Sequence, residues 1–284
     1  IIMSLAAESL VNKSLELVSP PTTYSLLNDL MNDPNSSADD ISAVINTDPA
    51  LATRLLKVVN SPFYGFPSQI NTISRAITII GTRELIHLVL ATSVMNSFTG
   101  IPSSLINMDE FWRHSLACAI AAKQLALKCG QRPAERFFLA GLLHNIGSLV
   151  IYQSMPELAR EAINSSKFGN EAIFLSEQRV LGFDHTQVGQ ALVKAWRLPA
   201  LLDDVVRHHH TPSDSKDFPL EVAIVHIADI MVSSAEFGHS GDHHIPPLDP
   251  KAWDLLNLDT AELPEILHIV QTQLDDLTAV MTAS

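Results

Sequence analysis

Residues 137–152 read FFLAGLLHNIGSLVIY, a stretch in which two polar side chains sit inside an otherwise almost wholly apolar run. Phe138, Leu139, Leu142, Leu143, Ile146, Leu149 and Val150 would cover most of a helix's circumference, and a helix apolar all round is a central one. The spacing predicts one buried helix through the middle of the fold. Buried polar groups are costly without partners, so His144 and Asn145 must be met by something. Gly141 and Gly147, on either side of the pair, would let neighbouring helices come close. The plainer alternative is a core histidine satisfied by a backbone carbonyl.

Around this stretch the chain has few β-signals and many helix boundaries, which predicts an all-α fold with short turns. Leu5, Leu10, Leu15 and Leu17 mark a first helix ending at Ser19-Pro20-Pro21, and Leu26, Leu27, Leu30 and Met31 a second. Ser36 or Ser37 can cap a third. Asp48-Pro49 is a strong start for a fourth, because Asp accepts orphan N–H bonds and Pro at the first helical position loses nothing. That helix stops at Asn60-Ser61-Pro62, before the aromatic loop Phe63-Tyr64-Gly65-Phe66-Pro67. Two more helices follow, one carrying Ile73 and Ile77 and one opening at Gly81-Thr82. A helix from about Met108 to Lys128 carries Glu110, His114 and Cys118 on one face at four-residue steps.

Beyond the central stretch come an amphipathic pair, a helix headed by Asp184-His185, one ending in His208-His209-His210, and one presenting His226 and Asp229. Gly, His and Pro crowd residues 238–250, read as a loop in which His239, His243 and His244 lack rigid support, and Leu263 to Val280 give a last amphipathic helix. The expected organisation is an N-terminal helical lobe (1–100), a helical core (101–235), and a loop with C-terminal helices packing on that core (236–284).

At 284 residues the chain can bury a sizeable core without staples. Its two cysteines, Cys118 and Cys129, stand too far apart along one helix to bridge, which points to a reducing, cytoplasmic setting. The opening IIMSLAAESL has no basic region or cleavage pattern, and Leu85 to Met95 is too short to span a bilayer, so no membrane partner is expected. A net charge of −13 with no local basic patch argues against direct nucleic-acid binding.

The ligand-type residues are Glu110, His114, His144, Asn145, His185, His208, His209 and Asp229. Imidazole and carboxylate are the ligands of Zn, Fe and Mn, and helical bundles build such sites from facing helices. Each residue alone has a bland reading: a solvated charge for Glu110, a cap neighbour for His185, a dipole-favoured helix end for His208 and His209.

Taken together, His114, then His144 with a polar neighbour, then Asp229 in HIADI resemble the H…HD…D scaffold of the HD superfamily of metal-dependent phosphohydrolases. Adding Glu110, His185 and the His208-His209 pair makes the set similar to that of the HD-GYP phosphodiesterases, which cleave cyclic di-GMP. Over roughly Leu17 to Pro212 the chain is identified as a member of the narrower HDOD family of HD-related output domains. The motifs that carry this are INTDPALATRLLKVVNSPFYGF, AITIIGTRELIHLVLA, FWRHS, FFLAGLLHNIG and the segment from LGFDHTQVGQALVKAWRLP to HHH.

The resemblance implies an HD-like multi-helix bundle after an N-terminal lobe, and bacterial signalling proteins as partners. The chain departs from the hydrolases at Asn145, where the family places the aspartate that bridges two metals, at Ser148, where HD-GYP enzymes carry lysine, and in HHHTPSDSKDF, which lacks the GYP loop. Two dications about 3.7 Å apart repel by on the order of 18 kcal/mol at an effective dielectric of 20, and a neutral amide does little to offset that. The expectation is a signalling output or scaffold module holding one divalent ion (Fe, Mn or Zn) or none, with a metal-dependent phosphohydrolase as the alternative.

Overall fold

The computed structural model of the chain describes residues 2–14 and 22–282. The expected end of the first helix, with Leu15, Leu17 and Ser19-Pro20-Pro21, lies outside them. Among the described residues the regular elements are all helical. They begin with α1 (Ile2–Ser14), α2 (Thr22–Asn32), α3 (Ala38–Asn46), α4 (Pro49–Val59), α5 (Ile73–Ile80), α6 (Thr82–Ser97), α7 (Met108–Lys128) and α8 (Glu135–Leu143). After these come α9 (Ile146–Ser154), α10 (Pro156–Gly169), α11 (Ile173–Leu181), α12 (His185–Ala195), α13 (Ala200–His208), α14 (Pro219–Ser234), α15 (Pro250–Leu256) and α16 (Leu263–Thr282). The chain divides into two compact units, one made of α1 with Phe98–Gln271 and one made of α2 to α6 with the turns of α16 from Thr272 onward. Residues 236–271 group with the core helices, whereas α16 from Thr272 onward groups with α2 to α6.

In the unit of α2 to α6 local chemistry sets the helix starts. Ser37 and Asp40 form a reciprocal capping box on α3. The Asp48 carboxylate accepts from the Ala50 and Leu51 N–H groups, both at 3.0 Å, with Pro49 as the first residue of α4. Asp48→Ala should cost about 1 kcal/mol, read as a lower urea midpoint. A midpoint unchanged from wild type would mean the cap is replaceable by water. The aromatic loop packs onto its own unit: Phe63 is buried, Tyr64 stacks on Phe66 at 5.8 Å and donates to Glu84, and Asn60 exchanges two hydrogen bonds with the Ile70 backbone.

In the other unit the central apolar stretch is not one helix. It is α8 and α9, separated by a turn at His144 and Asn145, so the polar pair falls at the break. Residues 135–154 are long and apolar enough to cross a bilayer, but they are buried among the helices of their own unit. Two glycines set this packing. A Cβ on Gly141 would stand 2.6 Å from the Cys118 carbonyl oxygen of α7, and one on Gly147 would stand 1.9 Å from the His185 carbonyl oxygen of α12. Glycine at these positions is what lets α8 lie against the alanine-rich α7 and α9 lie against α12.

Candidate metal centre

The close α7–α8 contact brings His114 and Cys118, one turn apart on α7, against the turn that carries His144, and α14 adds Asp229. His114 Nε2 lies 3.1 Å from Asp229 Oδ1, and Cys118 Sγ lies 3.5 Å from His114 Nε2 and 4.0 Å from Asp229 Oδ1. His144 donates its Nδ1–H to the Gly141 carbonyl at 2.6 Å, which fixes the ring and turns Nε2 inward. That nitrogen is fully buried and has no hydrogen-bond partner, Asp229 Oδ1 standing 3.8 Å away. Burial pushes the Asp229 carboxyl up, but hydrogen bonding from His114 and the nearness of both imidazoles more than reverse this and hold it well below the usual carboxylate range.

A second group adjoins the first. Asp184 caps α12 and places His185 at its first turn, where Glu177 accepts from both the His185 backbone N–H (2.8 Å) and its Nδ1–H (2.6 Å). His185 Nε2 faces His210 Nε2 at 3.0 Å. His209 donates Nδ1–H to the Val206 carbonyl, and its buried Nε2 has no partner. The rings of His144 and His209 are 5.1 Å apart between centroids, so the two groups are neighbours. Burial alone would lower the His185 pKa, yet the buried Glu177 carboxylate beside it raises it to about 9, while burial and the His185 charge push His210 down to about 3.

The sequence-derived ligand set is therefore sorted by the fold. His114, His144 and Asp229 converge in the first group, His185 and His209 in the second. Asn145 is buried and lines a cavity that Asp229 borders along with His185 and His210. Glu110 is exposed and in neither group, and its backbone carbonyl accepts from the His239 N–H. His208 is half-buried and faces Asp204 at 3.6 Å. Cys118 and His210 complete the groups in their place. The i+4 spacing of Cys118 from His114 was a visible signal; His210 carried none beyond its place in a histidine triplet.

The loop after α14 is also corrected, since it has rigid support. Gly238 packs so tightly that a Cβ would lie 2.4 Å from the His114 nitrogen, Tyr152 donates to the Ser240 carbonyl at 3.1 Å, and Asp242 accepts from the Ile173 N–H at 3.1 Å. Under this loop the cavity beside Asn145 is about 10 Å³. That is room for roughly one water molecule.

These side chains fit a metal ion. Two buried imidazole nitrogens lack partners, their rings are oriented by outward Nδ1–H bonds, and a carboxylate held ionised stands between two of the histidines. The imidazoles and carboxylate would hold such an ion, and bound there it would supply positive charge for orienting or polarising an oxygen ligand.

Among the described residues the fold is all-helical, with histidines and an aspartate gathered from several helices. The chain belongs to the HDOD domain family, whose profile matches residues 17–212. It is similar in structure to an HDOD domain protein of unknown function from Geobacter sulfurreducens, with a TM-score of 0.78, 22% identity and coverage of 99% of this chain and 97% of that one. A proposed phosphohydrolase from Shewanella amazonensis gives 0.76 at 22% identity, covering 96% and 98%. A proposed signal transduction protein from Marinobacter aquaeolei gives 0.74 at 21% identity, covering 96% and 61%. These likenesses show the fold. An uncharacterised protein of Treponema pallidum is 25% identical over 228 residues, 80% of this chain and 44% of that protein, so the chain spans less than half of that relative's length.

Proposed function

We propose that this chain is a signalling output or scaffold module whose HD-type centre holds one divalent transition-metal ion and does not hydrolyse phosphoesters. The observation that carries the reading is the neutral amide of Asn145, buried at the cavity that Asp229, His185 and His210 share. A carboxylate there would be an anion common to both groups. An amide supplies none, and the second group has only imidazoles. Signalling proteins are the partners this role calls for, in a bacterial cytoplasm.

The alternative is a metal-dependent phosphohydrolase, favoured by the survival of a second convergent histidine trio. Asn145→Asp separates the two readings. The variant is expected to bind a second ion per chain, while wild type loaded with Mn or Fe turns over no phosphodiester. A variant that still binds a single ion, or steady phosphodiester turnover by wild type, would overturn the proposal.

A further inference from the structure

We infer that the Cys118 sulfur is a direct ligand of the bound ion, completing a His114–Cys118–His144–Asp229 set that selects a thiophilic metal such as Zn²⁺, Fe²⁺ or Co²⁺ over Mn²⁺ and Mg²⁺. The inference rests on the single-ion reading above and deepens it. The four side chains each offer one donor atom, and all four atoms lie within 4.8 Å of one another. Metal–sulfur and metal–nitrogen bonds of about 2.3 and 2.0–2.1 Å in a tetrahedron put S and N about 3.6 Å apart, and N and O about 3.3 Å apart. Cys118 Sγ and His114 Nε2 stand at 3.5 Å, His114 Nε2 and Asp229 Oδ1 at 3.1 Å. These two pairs already have ligand spacing, while Cys118 Sγ and His144 Nε2 stand 4.0 and 3.8 Å from Asp229 Oδ1 and would close by a few tenths of an ångström on binding.

Charge decides between this and a merely space-filling cysteine. Among the four, Asp229 is the one carboxylate, and Asn145 contributes no charge. A dication held by one carboxylate and two neutral imidazoles would leave a net positive charge in a fully buried site, which is costly. A thiolate brings the sum to zero. His144 Nε2, fully buried and unpartnered, is aimed into the same point and offers its lone pair to a cation there. On binding, the Cys118 S–H bond breaks, its proton passes to the buffer, and a sulfur–metal bond forms. The soft sulfur then favours zinc, cobalt and ferrous iron over the harder manganese and magnesium ions.

The test is Co²⁺ titration of the full, untagged chain followed by absorption spectroscopy, with zinc-edge X-ray absorption on the Zn²⁺-loaded protein. Wild type and Cys129→Ser should show a near-ultraviolet thiolate-to-cobalt charge-transfer band. Cys118→Ser should lose the band and bind Co²⁺ more than about 100-fold more weakly, beyond what loss of an outer partner costs. The zinc edge should show one sulfur at about 2.3 Å, a result that needs no variant to fold. Bound Co²⁺ with no such band, a zinc shell without sulfur, or a band lost with Cys129 instead would overturn the ligand while leaving the single-ion reading intact. Wild type that binds no Co²⁺ or Zn²⁺ would overturn both.

Discussion

Gly147→Ala is expected to lower stability by about 3 kcal/mol or more, or to prevent folding, the upper end of what overpacking does. The new methyl carbon would sit 1.9 Å from the His185 carbonyl oxygen and 2.5 Å from the Gly189 nitrogen, and both are backbone atoms that cannot swing aside. Relief would require α9 and α12 to separate, which would withdraw His185 from the centre. Gly169→Ala is the matched control. Its Cβ would meet only the Glu171 side chain, at 3.5 Å, and alanine is the better helix former, so that variant should stay within about 1 kcal/mol of wild type. The comparison is made by urea denaturation of both purified variants. Equal midpoints for the two would show that the glycine contact does not set the packing.

Asp229→Ala should weaken divalent-metal binding by more than about 100-fold, measured by competition with a chromophoric chelator. Asp229 is the sole carboxylate of its ligand group, it lies 3.1 Å from His114 Nε2, and its ionised state is secured by the two imidazoles. Without it the ion would face two neutral rings and the Cys118 sulfur alone. The protein would also keep a buried His114 ring whose nitrogen has lost its acceptor. His208→Ala serves as the contrast, since that ring turns to Asp204 and stands outside both groups. Its affinity should match wild type. An Asp229→Ala protein that binds within about threefold of wild type would remove the carboxylate from the centre.

How far the sequence carried the account depends on whether the deciding interaction is local. The starts of α3, α4 and α12 were legible because Ser37, Asp48 and Asp184 bond to N–H groups two or three residues away. The break between α8 and α9 was not, because the apolar pattern runs through residues 137–152 without proline and the deciding contacts come from other helices. His210 was passed over in favour of His208 for a related reason. α13 ends at His208 with His209 as its cap, so His210 lies past the helix, where a wheel no longer says which ring points inward. Cys118 was seen on the His114 face but read as core, since Asp229, 111 residues later, is what makes its surroundings polar. The loop at 238–246 read as unsupported because its anchors, Tyr152, Ile173 and Glu110, are all distant in sequence.

The most direct test of a single-ion, non-hydrolytic centre is the metal-to-chain ratio of untagged protein, by elemental analysis after removal of loosely held ions. One tightly bound transition-metal ion per chain is the predicted result. Two ions per chain would contradict it, since the amide at Asn145 would then be no barrier to a paired-metal site.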